Sequence, residues 1–180
     1  MNPLTFTVTF HSPFAVATGV ARDGLDLTID AANPLPSTAI KGLLRAHLRD
    51  SLHASGALER RIFQGGDSPR WVFGDGRVSA SVNEWVRVRV DADGRADERH
   101  LMVGQQAHAR SATFAVTWEG AGDPPADEVL ALRAAARCVT SLGSHRRRGL
   151  GWVTIVDPEP WTEADSVGLL RVLRPEGSVA

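Results

Sequence analysis

The chain has 180 residues, enough for one domain with a sizeable core, and its 43% hydrophobic and 23% charged residues exclude wholesale disorder. A formal net charge of -1 excludes a global attraction to nucleic acid, so any such function has to rest on a local patch. The single cysteine, Cys138, cannot form an internal disulfide, and no apolar run reaches the length of a membrane span; a soluble, cytoplasmic protein without a membrane partner or a zinc site is expected.

In chain order, Leu4 to Phe10 alternates strictly, with Leu4, Phe6, Val8 and Phe10 on one face and threonines on the other, which predicts a half-buried strand. Residues 11–36, rich in Gly, Pro and Asp, read as a long excursion containing Asp23, Asp26 and Asp30. Ser37 or Thr38 is expected to cap a helix whose buried face is Ile40, Leu43, Leu44, Leu48 and Leu52. A second short helical piece reaches Phe63. Residues 64–76 are glycine-rich, and Arg77 to Val90 alternates again, most clearly in Val86 to Val90, VRVRV. After a charged stretch comes His100 to Gln106, HLMVGQQ, read as an apolar tip. Ala112 to Trp118 predicts a strand, a helix follows Asp123-Pro-Pro, and Gly151 to Val156 predicts the last strand before a helical tail from Thr162.

Strand, helix, strand, strand, helix, strand is the split βαβ order. The expected fold is therefore α+β, a ferredoxin-like (RRM-like) βαββαβ core in a single domain spanning 1–180. Core segments are about 3–10, 37–63, 77–90 and 112–157, with insertions at about 11–36 and 64–111 and a tail over 158–180.

Three groups of residues carry candidate chemistry. Gly143 to Trp152, GSHRRRGLGW, sets His145, Arg146, Arg147 and Arg148 among glycines at 143, 149 and 151; with Gly143 and Ser144 it offers charge beside accessible backbone N–H groups, which suits a phosphate chain. Lys41, Arg45 and Arg49, four apart, form one cationic stripe, and Ser37 and Thr38 at the helix start add a second anion site. Asp23, Asp26 and Asp30 are ordinary turn residues taken alone. The six histidines show no metal-ligand spacing, and no ATP- or dinucleotide-binding motif is present.

Several segments together resemble the RAMP superfamily of CRISPR proteins: Pro34 to Leu48 (PLPSTAIKGLLRAHL), Trp71 to Val78 (WVFGDGRV), VRVDADGRA followed by ATF, and Ser141 to Ile155 (SLGSHRRRGLGWVTI). Within it the likeness is greatest to the repeating backbone subunit of type III effector complexes. That resemblance implies a subunit that polymerises with other copies of itself into a helical filament on guide RNA, alongside other effector subunits, in antiviral defence. It implies guide-RNA contacts by Ser37, Thr38, Lys41, Arg45, Arg49, Gly143, Ser144, His145, Arg146, Arg147 and Arg148. A β-hairpin thumb at about Glu98 to Arg110 would place Met102 and Val103 between bases. It further implies a metal-dependent endoribonuclease: Asp26, or in second place Asp30, would act with Mg2+ on target RNA and cut it at regular intervals. The alternatives are a non-catalytic structural subunit, and a guide-RNA-processing endonuclease with a catalytic histidine such as His47.

Overall fold

The computed structural model describes residues 3–20, 24–64, 70–90 and 92–174, and of positions 90, 96–100 and 147 the backbone alone. Asp23 and the side chains of Glu98, Arg99, His100 and Arg147 therefore lie outside the described residues.

Strand β1 (Leu4–Phe10) follows its alternation: Phe6 and Val8 are fully buried and Thr5, Thr7 and Thr9 exposed. It lies between β6 (Ser111–Trp118) and β7 (Val153–Val156), antiparallel to both. The outer position beside β6 is taken by β2 (Trp71–Phe73) and then β3 (Arg77–Val78). The order β2-β6-β1-β7 is that of a ferredoxin-like sheet, with the two crossovers made by helices.

Helices α1 (Ser37–Asp50) and α3 (Ala126–Arg137) pack side by side on one face of this sheet, flanked by α2 (Gly56–Phe63) and α4 (Glu163–Leu173). Ile40, Leu44 and Leu48 of α1 meet Phe6, Phe114 and Ile155 below them in one core. On α3 the buried residues are mostly alanines, which let the two helices approach closely. Arg133 and Arg137 of α3 both hold Asp157, at 3.0 and 2.9 Å, and both lie over the ring of Trp161, so the segment leading into α4 is fastened by buried charge. Thr162 then starts α4 with a capping box to Asp165.

Strands β4 (Ser81–Val90) and β5 (Ala96–His108) form a separate two-stranded sheet, a hairpin inserted between β3 and β6. Two expectations are corrected here. The alternating run VRVRV belongs to this hairpin and not to the core sheet, whose second strand is Trp71–Phe73 with Arg77–Val78. Alternation reports a strand's period, not its burial: Val86 and Val88 are 63% and 47% exposed, whereas the short core strand buries Trp71 and Phe73 from within a glycine-rich stretch. Likewise Leu101, Met102 and Val103 are not a tip; they sit along β5 opposite Val88, Arg87 and Val86, and the turn of the hairpin includes residues 92–94.

Candidate nucleic-acid interface

The arginine loop is shaped by backbone contacts with the first excursion. Ser144 N–H donates to Ala15 O (2.7 Å), Gly151 N–H to Pro13 O (2.7 Å), and Trp152 N–H to Ser12 Oγ (2.9 Å). Leu142 N–H closes the loop's neck on Gly151 O (2.8 Å). Such close approach explains two of the glycines. Gly143 and Gly151 have φ of +80° and +75°, and a Cβ on either would overlap a carbonyl oxygen, of Ala15 and Leu142 respectively. Between them His145 is left-handed (φ 58°), and Arg146–Arg148 make one 3-10 turn closed by Arg148 N–H to His145 O (2.8 Å).

That turn splits the arginines. Arg146 stands at the rim of a hollow of about 270 Å³ between α1 and the loop, near His47. Arg148 instead lines an open cleft of about 630 Å³ against the hairpin, with Asp26, Arg87, Val88, Arg89, Leu101 and Met102. No ion pair among the described residues involves Arg87, Arg146 or Arg148.

The hairpin reaches the loop through Trp85, whose ring meets His145 edge to face at 5.7 Å. The guanidinium of Arg87 lies over the same indole, 4.6 Å from its centre. Opposite them on β5 are Gly104 and Met102; a side chain on Gly104 would run into the Trp85 ring. Burial, then the charges of Arg87 and Arg148, hold the His145 imidazole below its ordinary pKa.

Asp26 enters the cleft from the first excursion. Its N–H donates to Val103 O (2.8 Å) and its Oδ2 accepts from Val103 N–H (2.9 Å). Leu27 continues this contact as a parallel bridge to Gly104. The cleft thus brings together Asp26, Met102 and Arg148 from three distant segments, with Val103 holding Asp26.

The other predicted site residues lie elsewhere. Asp30 accepts from Ala32 N–H at 2.9 Å and caps a turn. Arg45 Nε is 2.6 Å from Glu59 of α2, Arg49 is paired with its neighbour Asp50, and Lys41 sits 5.8 Å from the ring centre of Phe73. The helical stripe therefore turns toward α2 and β2, not toward the arginine loop. Ser37 and Thr38 are the first residues of α1 rather than its cap, which is Pro36. Ser37 N–H donates to Asp75 Oδ1 (2.6 Å), so a carboxylate already occupies that helix terminus. His47 has its Nδ1 3.0 Å from Ser51 Oγ, and burial and Arg146 hold its pKa low; it does not line the cleft.

Sequence reasoning missed Trp85, Arg87 and Arg89. Their signal was weak: arginines alternating with valines read equally as the solvent face of a half-buried core strand, and only the exposed valines of the folded hairpin distinguish the two.

The Mg2+ implied by the resemblance can be tested against the donors. Among the described residues Asp26 is the one carboxylate lining the cleft, one of its oxygens is engaged by Val103, and three arginines line the same cleft. No group of three His, Cys, Asp or Glu side chains among the described residues could hold a metal ion. This donor set does not fit a protein-held Mg2+. No helix among the described residues is long and apolar enough to cross a membrane.

The sequence matches no family model and none of the curated proteins. The fold does have counterparts. A chain in the cryo-EM structure of the Type III-B Cmr-beta bound to cognate target RNA superposes with a TM-score of 0.67 at 10% identity, over 87% of this chain and 97% of that one. The apo state of Cmr-beta gives the same values. The chain therefore has an α+β, ferredoxin-like fold, shared over most of its length with a chain of the Type III-B Cmr-beta structures.

Proposed function

We propose that the chain is an RNA-binding backbone subunit of a type III-like CRISPR effector complex, working with guide RNA, target RNA, other copies of itself and other effector subunits in antiviral defence. The observation that carries this reading is the cleft: Arg87, Arg89 and Arg148 converge from the hairpin and the glycine-rich loop, beside Met102, on a chain of net charge -1. Arginine forks suit phosphate, while Trp85 and Met102 supply an apolar surface on the hairpin for bases. Sequence would be read by base pairing in the RNA and not by the protein. The fold shared with a chain of the Type III-B Cmr-beta structures supports the assignment.

Of the two versions of this function, the non-cutting subunit is favoured, because Asp26 is engaged with Val103 and shares the cleft with three arginines and no second carboxylate among the described residues. The measurement is the binding of labelled single-stranded RNA by fluorescence anisotropy across a salt series. Affinity that falls steeply with salt and does not depend on sequence is expected; no binding at low salt overturns the reading.

A further inference from the structure

We infer that Asp26 is a positioning residue: it latches the β4–β5 hairpin to the first excursion and so sets the shape of the cleft, instead of acting on RNA through a metal. The consequence for RNA rests on the function proposed above; the latch itself does not.

Val86 faces Val103 across the hairpin, and both the N–H and the C=O of Val103 turn outward, away from β4. An outward-facing strand edge presents unpaired N–H and C=O groups that another segment can pair with. Asp26 matches both groups of this one residue, the N–H with its carboxylate and the C=O with its own N–H. The contact continues along β5: Gln105 N–H donates to Leu27 O (2.9 Å), and Gln105 Oε1 accepts from Ile29 N–H (3.1 Å). Phe14 and Ala107 then exchange both backbone bonds, at 2.9 and 2.7 Å. Asp26 is the outermost member of this ladder, nearest the hairpin's turn, and the only one that uses a charged acceptor. Charge-assisted bonds to a carboxylate are roughly twice as strong as neutral ones, which suits the end most prone to peel away. Met102 and Arg87 adjoin the latched residue, so its position fixes theirs against Arg148.

The test compares Asp26→Asn with Asp26→Ala in the full chain, by amide hydrogen exchange at Val103 and by anisotropy with labelled single-stranded RNA. The amide of asparagine still presents an acceptor to Val103 N–H, so Asp26→Asn should keep exchange at Val103 within about threefold of the parent and RNA affinity within about twofold. Asp26→Ala should speed that exchange by about tenfold or more and weaken RNA binding several-fold. Unchanged Val103 exchange in Asp26→Ala overturns the latch, as does an Asp26→Asn variant that loses RNA as badly as Asp26→Ala. Cutting of target RNA in Mg2+ by the parent, lost in Asp26→Asn while Val103 stays protected, also overturns it, because the carboxylate would then act on RNA directly. If the parent binds no RNA, the proposed function falls and the exchange measurement still decides the latch.

Discussion

The indole of Trp85 and the imidazole of His145 meet edge to face, with ring centres 5.7 Å apart, and join the hairpin to the arginine loop. Such aromatic pairs contribute about 0.5–1.5 kcal/mol beyond their buried area. Trp85→Ala removes this contact and also the platform under Arg87. RNA affinity should drop about fivefold to tenfold, consistent with a loss near 1 kcal/mol, while Trp85→Phe keeps a ring in place and most of the affinity. Anisotropy titrations of the two variants provide the check.

The depressed pKa of His145 gives a pH dependence of definite sign. Above about pH 6.5 the ring is neutral in both folded and unfolded chains, and its stabilising share is fully present. As pH falls below that value the unfolded chain takes up a proton that the folded loop resists, so stability declines. His145→Asn, which suits the left-handed backbone, should show a shallower fall in Tm between about pH 7 and pH 5.5 than the parent. RNA binding should move the other way. Phosphates beside Arg87 and Arg148 relieve the repulsion, so acidification should strengthen RNA binding in the parent more than in His145→Asn.

Neutralising Arg146 and Arg148 to glutamine should weaken binding of all RNA sequences alike. Each lost phosphate contact should lower the slope of log affinity against log salt by ~0.7. Because the two side chains stand at different hollows, Arg148→Gln is expected to depend on Arg87 in a double-mutant cycle, whereas Arg146→Gln should be additive with it.

Arg45 offers a contrast. It holds Glu59, whose side chain is 12% exposed, at 2.6 Å. Arg45→Ala should therefore lower stability by about 1 kcal/mol, discounted for the partial exposure of the arginine, and leave RNA affinity within about twofold. Thermal melting and anisotropy on one preparation separate the two effects.

These cases show what the sequence makes legible and what it does not. Helix and strand periods announce themselves in Phe6, Val8, Ile40, Leu44 and Leu48, and the ferredoxin-like order follows from them. Burial across space does not. The stripe of Lys41, Arg45 and Arg49 reads as a binding face until Glu59 and Asp50, from α2 and the helix end, turn out to hold two of its members. The run of three arginines gives no hint that a 3-10 turn sends Arg146 and Arg148 to different hollows. VRVRV misled because a strand's alternation is the same whether its valines are covered or bare. Asp26 was singled out as a candidate catalytic residue, and its backbone partner, Val103, comes from a segment no local pattern could pair with it.

The hairpin leaves the core sheet through only two short connections, residues 79–80 and 109–110. Ten residues of β4 extend it by ~33 Å from there. It is a lever: a rotation of about 10° at its base carries its far end ~6 Å. Trp85 with His145, and Asp26 with Val103, restrain it on the arm rather than at the base. Small changes at these two points therefore become large changes in where the hairpin's end falls, and under the proposed function these are the places where spacing along RNA would be set.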